Sequence, residues 1–507
     1  MELLKEEIYK KIRIWIVFLL LNLCFYGIFC VEHFAADTYV SEITGWAETA
    51  ALYFSNGRWL MTLLGLFCGF FHISFAVEKT VSWIMAIVFL SLAELVVYGL
   101  LKKRTGIEEK CNLPWLLMIF SSFMAISNLF VLEYFIFPEY TGPICLGIFF
   151  NILEVKFVLK FLEEGSWKSF IFGVFLGILG MMGHQGAFGI TAVLLVLLAK
   201  DTFVNAKTFV KNSVVIGAAY LIPCVANVIL TKVAGSARVA GKLQILESLK
   251  AAAGQIADLW VTTANFMPNY VYIVMCAIAG AAVVVLVIMR KDVRGLLHIL
   301  YVAVVFALAI ISPFLMTEAV YISVVPRTVY VMGAGTGIIS ILYLLLGDKS
   351  RIRICAAAGY ALIFLGIQYF NACQMETSHY VSVGIDYYDV NYIAQQVWIY
   401  ENDTCNQIRR ICIYTDESPL GIYYGLTGYS AINERVMSNT WAAGYVYKRF
   451  TGADYTVEEG DPQVYERYFK GKSSTDFLII FSNLRKCRKG LEYQAFPAFC
   501  VSEDTPH

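Results

Sequence analysis

Charge is what this sequence has least of. Only 15% of its 507 residues are Asp, Glu, Lys or Arg, against 59% hydrophobic residues, and the mean hydropathy is +0.65. A soluble chain of that length needs a more polar surface, so a soluble fold is excluded and a polytopic membrane protein is expected. Neither sign of charge is in excess. The 39 basic and 39 acidic side chains leave a formal net charge of zero, with nothing to attract nucleic acid. The 13 cysteines include no CxxC spacing, which argues against a cysteine metal cage. There is no internal repeat, no low-complexity tract and no Gly-rich phosphate loop. The charged start MELLKEEIYKKIR leads into an apolar segment without a small-x-small cleavage site, so that segment is expected to be a retained helix rather than a signal peptide.

What is abundant is apolar length. A crossing takes about 20 apolar residues. Eleven stretches qualify, at about 14–32, 81–101, 114–133, 142–161, 169–184, 187–200, 213–233, 270–290, 294–313, 329–347 and 353–372. Lys5/Lys10/Lys11/Arg13, Lys102-Lys103-Arg104, Lys200/Lys207/Lys211, Arg290-Lys291/Arg294 and Lys349/Arg351/Arg353 then fall on one face. Basic loops mark the cytoplasm, which puts the N-terminus inside and the loops 33–58, 134–141, 234–269 and 314–328 outside, with the C-terminal part. Leu60–Val77 breaks the scheme, because a crossing there would invert everything downstream. It is read as an embedded hairpin or interfacial helix on the outer face, the alternative being twelve spans. Loop 234–269 has helical periodicity and is expected as an amphipathic surface helix. Eight cysteines (Cys24, Cys30, Cys68, Cys111, Cys145, Cys224, Cys276, Cys355) lie in or near apolar segments and are expected as packing residues.

From about Cys373 the hydrophobic runs shorten. Asp389–Tyr400 and Thr440–Phe450 look helical, the latter capped by Asn439 or Ser438; Arg409–Tyr414 and Asp476–Phe481 look like buried strands. The expectation is a transmembrane domain over 1–372 and a small α/β domain, outside the cytoplasm, over 373–507.

The candidate chemistry sits around Val31–Trp59, too polar to remain in lipid. Asp37, just past the first span, is placed to take a proton from an acceptor hydroxyl; a helix cap or a solvated loop charge is the plainer alternative. Glu42 and Glu48 are weaker candidates in the same loop. Arg58 lies between Gly57 and an apolar run, where charge is costly and a guanidinium suits forked contacts with phosphate; snorkelling to head groups competes with that role. Arg327 follows Pro326 at the mouth of the tenth stretch, nine residues after Glu318, as a second cation for a lipid phosphate or as an interfacial anchor. His184 in the turn His184-Gln185-Gly186 can touch substrate or simply bond within its loop. Glu133 can orient a sugar hydroxyl, cap a helix or pair with a nearby base. Glu94 and Glu154, inside spans, are expected to pair locally.

An acidic outer loop followed by Asn56-Gly57-Arg58-Trp59-Leu60 entering an apolar run resembles the bacterial Gtr-type O-antigen glucosyltransferases and related GT-C membrane glycosyltransferases. Asp37, Trp46, Asn56, Gly57, Arg58 and Trp59 carry the likeness, and Ser127–Tyr134 is similar to a second segment of that family. Ala36 precedes a single Asp37 where the family often has paired acidic residues, and Leu129 stands where a proline is usual. The resemblance covers roughly the first 160 residues. It implies a GT-C-like fold in the bacterial cell membrane, a polyprenyl-phosphate hexose donor, a surface glycan acceptor and inversion by one displacement. Asp37 would be the catalytic base, with Arg58, Arg327, Glu42, Glu133 and His184 binding substrate. No motif demands a cofactor, and a divalent metal is left open. The rival classes are a transporter or flippase, which predicts repeated halves that are absent, and a membrane sensor using the C-terminal domain. In an oxidising exterior, Cys487 and Cys500 are candidates for a disulfide.

Overall fold

The computed structural model of the chain describes residues 2–107, 112–199, 202–236, 245–263, 269–315, 317, 322–347, 350–405, 410–414, 436–453, 456–459, 476–480 and 498–499. Glu318, Cys487 and Cys500 lie outside the described residues, as do 237–244 and 264–268 of the expected surface helix. The helices, in order, are α1 (Glu2–Tyr26), α2 (Ala36–Thr44), α3 (Trp46–Ser55), α4 (Trp59–Phe70), α5 (Phe75–Thr105), α6 (Leu113–Ile126), α7 (Leu132–Phe135), α8 (Thr141–Glu164), α9 (Trp167–Met181), α10 (Gly189–Leu198), α11 (Ala206–Val233), α12 (Ile245–Thr263), α13 (Asn269–Met289), α14 (Val293–Ile311), α15 (Tyr330–Gly333), α16 (Gly335–Leu346), α17 (Arg351–Thr404) and α18 (Thr440–Thr451). Four short strands, β1 (Arg410–Tyr414), β2 (Thr456–Glu459), β3 (Asp476–Ile480) and β4 (Ala498–Phe499), form one sheet in the order β2-β1-β3-β4. β1 is parallel to β2 and β3, and β3 is antiparallel to β4.

The chain forms two compact units: Met1–Val31 with Thr49–Cys373, and Glu32–Glu48 with Gln374–His507. The first unit is helical and carries the outward apolar surface of a membrane protein, with Leu63, Phe70, Ile171, Val214 and Ile363 among its exposed side chains. Six helical stretches among the described residues are long and apolar enough to cross a bilayer: Glu6–Cys30, Phe75–Thr105, Leu113–Phe135, Ala206–Val233, Val293–Phe314 and Arg351–Asp403. Several of the eleven expected stretches are shorter helices. The apolar run after Trp167 is broken at the Gly183–Gly186 turn into α9 and α10, of 15 and 10 residues. All ten residues of α10 are buried, so its hydrophobicity serves the protein core rather than lipid. α4 has 12 residues, about 18 Å at 1.5 Å per residue and too short to cross alone.

Polar groups inside the first unit are of two kinds. Glu94 pairs locally: Asn22 donates to its carboxylate at 2.9 and 3.1 Å and the Ser127 hydroxyl donates to it as well. Glu154 does not; both carboxylate oxygens are buried without a hydrogen-bond partner among the described residues, in contrast to the local pairing expected for it. Of the apolar-segment cysteines, Cys68 and Cys145 are buried, while Cys24, Cys30 and Cys355 are exposed and do not pack inside.

The second unit takes in more of the chain than the C-terminal part. Phe34 and Tyr39 of the first loop share a core with Val390, Ile393 and Val397 of α17 and with Ala442, Val446 and Tyr447 of α18. The buried Asp386 carboxylate accepts from the amides of Val436 and Met437 at 3.0 and 2.9 Å, tying α17 to the turn before α18. Asn439 stands at the N-cap position of α18 without a side-chain capping bond, and Gly452 ends the helix at φ +63°. α17 runs without interruption from Arg351 to Thr404, so the change of composition at Cys373 does not end a helix.

Candidate active site

Helix α7 and the connection that follows it to α8 carry the sequence Glu133-Tyr134-Phe135-Ile136-Phe137-Pro138-Glu139-Tyr140, which organises one end of the first unit. Asn128 caps the short turn before α7: its side chain accepts from the Phe130 amide at 3.0 Å, and Tyr26 donates to its backbone carbonyl at 3.1 Å. Glu133, fully buried, holds Arg327 at two points. One carboxylate oxygen accepts from the Arg327 guanidinium at 2.7 Å and the other from the Arg327 amide at 2.6 Å. The Tyr134 hydroxyl donates to the Arg327 carbonyl at 2.7 Å. The Arg327 guanidinium lies over the Phe137 ring at 5.0 Å and that of Arg58 lies over Tyr140 at 6.0 Å. Phe137 and Tyr140 stack on each other at 5.0 Å. Two adjacent rings thus form a floor beneath two cations, an arrangement that favours guanidinium electrostatically.

Arg58 is fixed by the turn before it. Its amide donates to the Tyr53 carbonyl at 3.0 Å, and Gly57 takes φ +72°. A Cβ on Gly57 would collide with the Thr231 hydroxyl, so glycine is required there by conformation and by space. From the α9–α10 turn, Gln185 donates to the carbonyls of Asn56 and Gly57 at 3.4 Å each, and reaches the Asn227 side chain at 3.5 Å. Gly186 passes so close to the Arg327 and Thr328 backbone that a Cβ would overlap it. On the far side, Gln255 of α12 donates to the Ile322 carbonyl and accepts from the Val324 amide, both at 2.8 Å, which pins the strand-like segment leading to Arg327.

These segments enclose a cavity of about 220 Å³ lined by Asn56, Arg58, His184, Gln185, Asn227, Thr231, Phe314, Thr317, Ser323, Arg327 and Thr328, among others. Both guanidiniums lie near enough to His184 to act on it electrostatically. The imidazole is buried, edge-on to the Tyr134 ring at 5.2 Å, and its Nδ1 has no hydrogen-bond partner among the described residues. Among the described residues the lining is cationic and rich in neutral donors and includes no carboxylate; Glu133 is engaged by Arg327. The lining segments lie at or near helix ends. A second cavity, of about 780 Å³, opens at the other ends of α5, α8 and α11.

Asp37 and Glu42 belong to the second unit. Asp37 is half-buried in the first turn of α2, where the Thr38 hydroxyl accepts from the Ala35 amide at 3.2 Å. Glu42 forms an ion pair with Arg449 of α18, which also reaches Glu32 at 3.4 Å and lies over the Phe34 ring at 5.3 Å. The Glu42 carboxylate is thus engaged by a guanidinium of its own unit. Burial, and after it the Asp386 carboxylate, pushes the Tyr39 hydroxyl well above its ordinary range, so it stays protonated beside α2's first turn. Glu48 is exposed in the first turn of α3.

Asn227 and Thr231 were not singled out from sequence, yet they are four residues apart on one face of α11 and line the cavity. Two polar residues at that spacing in the largely apolar second half of the helix are a signal that could have found them. Among the described residues, no group of three or more His, Cys, Asp or Glu side chains is gathered to hold a metal ion. Searches of curated proteins and of solved structures gave no match. Compared with family models, residues 26–344 match the one described as glucosyl transferase GtrII, a span that covers both arginines, Glu133, His184 and the whole cavity lining. More than half of the chain falls within that match, and the protein is thereby a membrane glycosyltransferase belonging to the GtrII glucosyl transferase family.

Proposed function

We propose that the chain transfers a hexose, glucose in view of its family, from a polyprenyl-phosphate donor to a cell-surface glycan on the outer face of a bacterial cytoplasmic membrane. The observation that carries this is the pair of guanidiniums, Arg58 and Arg327, lining one cavity in a chain of a glucosyltransferase family. A polyprenyl tail is insoluble, so its enzyme must meet the donor within the bilayer, with the phosphate at head-group depth. Two planar, permanently charged forks on an aromatic floor suit a phosphate better than a neutral sugar. The cationic lining also stabilises the charge that develops as the phosphate leaves.

In the proposed reaction the acceptor hydroxyl oxygen attacks the anomeric carbon and the bond from that carbon to the phosphate oxygen breaks. The hydroxyl proton passes to the Asp37 carboxylate and the polyprenyl phosphate departs with the bonding electron pair. One displacement inverts the anomeric centre. Asp37 is assigned as base on its place in the loop after the first span and on the family resemblance. His184, with a ring nitrogen unpartnered among the described residues, is assigned to the donor as a hydrogen-bonding group. Glu133 is a positioning residue that acts through Arg327. Residues 1–372 would form a GT-C-like transferase domain with a cytoplasmic N-terminus, and 373–507 an α/β domain on the extracytoplasmic side.

The test is Asp37→Asn in membranes supplied with polyprenyl-phosphate glucose. Sugar transfer should fall by at least about a hundredfold, as for loss of a general base, with the amount of folded protein unchanged. Transfer at the wild-type rate would remove Asp37 from the mechanism.

A further inference from the structure

The basic clusters that orient the chain do more than mark a face. Lys103 and Arg104 at the end of α5 and Lys211 in the second turn of α11 line the same cavity of about 780 Å³. Measured along α11, Lys211 and Asn227 are 16 residues apart, about 24 Å at 1.5 Å per residue, so this cavity and the candidate active site lie at opposite ends of one bundle. Among the described residues lining this cavity, three cations meet a single carboxylate. Glu163 is taken by Lys103 at 2.5 Å and Arg104 at 2.6 Å, whereas Lys211 forms no ion pair among the described residues. His298 adds a ring Nε2 that is buried without a hydrogen-bond partner among the described residues, and Asn212 and Thr208 add polar groups. The first turns of α11 contribute the positive end of a 28-residue helix. The other wall is apolar, made of Leu162, Leu197, Leu198, Leu345 and Leu346.

Lysines placed only to obey the charge rule of membrane loops need no cavity, no buried imidazole and no leucine wall. We propose that this cavity binds an anionic phosphate head group, with Lys211 as the cation that meets it and the leucines as the seat for the first carbons of an attached chain. The site is separate from the donor cavity and does not depend on the function proposed above.

The full-length protein, purified in detergent, is titrated with short-chain phosphatidylglycerol, short-chain phosphatidylcholine and inorganic phosphate, and bound molecules are counted by native mass spectrometry. Phosphatidylglycerol should bind more tightly than the zwitterionic lipid. Lys211→Gln should weaken it about fivefold, the worth of one basic residue at a lipid surface. Lys211→Arg should retain binding, and Lys207→Gln, on the same helix but outside the cavity lining, should leave it unchanged. Displacement by millimolar inorganic phosphate would identify the ligand as a free anion, and failure to displace would identify it as a lipid; either agrees with a phosphate site. Equal binding of all ligands by wild type, Lys211→Gln and Lys207→Gln would overturn it.

Discussion

Gly57→Ala is the smallest change that should disturb the donor cavity, and the structure supplies its magnitude in two parts. The backbone at Gly57 sits at φ +72°, where an L side chain costs about 1–2 kcal/mol. The added Cβ also meets Thr231, overlapping its hydroxyl and lying 3.2 Å from its Cβ and 3.3 Å from its Cγ2. Forcing one extra methyl into a filled site costs a further ~1–3 kcal/mol. The sum, about 2–5 kcal/mol, falls on the turn that aims Arg58. The two parts separate in a double-mutant cycle with Thr231→Ala, which removes the hydroxyl and the methyl but leaves φ unchanged. Thermal unfolding of the detergent-solubilised protein should show Gly57→Ala well below wild type. In the double variant the midpoint should lie above the value expected from adding the two single losses. Sugar transfer should follow the same order. Purely additive losses would refute the contact with Thr231, and a Gly57→Ala protein as stable and active as wild type would refute both parts.

Two further outcomes follow from pairings at a distance. Glu133→Gln removes the charge that balances Arg327 while keeping an acceptor for its amide; hydrogen bonds to charged groups are worth about 1.5–3 kcal/mol, so kcat/KM for the donor should drop roughly 10- to 100-fold, read from initial rates over a range of donor concentrations. Glu42→Gln loses a pair with Arg449, whose side chain is 35% exposed; allowing for solvent screening, the cost to stability is at most about 1 kcal/mol, and turnover should not change. A large loss of turnover with intact stability would return Glu42 to the substrate.

Local sequence exposed the pieces of the site but not their assembly. Asn56-Gly57-Arg58-Trp59, His184-Gln185-Gly186, the 133–140 segment and Arg327 each stand out, because charge, glycine and polar residues interrupt apolar runs there. That Glu133 holds Arg327 across 194 positions is a tertiary fact that no window contains. The same holds for the aromatic floor, since Phe137 and Tyr140 look like any interfacial aromatics until two guanidiniums are found above them. β1, β3 and α18 were legible from short-range pattern and capping. The end of the transmembrane part was less so. Composition changes at Cys373 because the surroundings of the helix change, while nothing between Arg351 and Thr404, no proline above all, stops the helix itself. Likewise hydropathy could not tell α10, buried in protein, from a helix facing lipid.

The central claim is that Arg58 and Arg327 together hold the phosphate of a lipid-linked sugar. The measurement that tests it most directly is equilibrium binding of a short-chain polyprenyl-phosphate glucose to the purified full-length protein and to its Arg58→Gln and Arg327→Gln variants. Each variant should bind at least about tenfold more weakly, the loss of one charge-assisted contact, while still folding. Wild-type affinity in both variants would contradict the account.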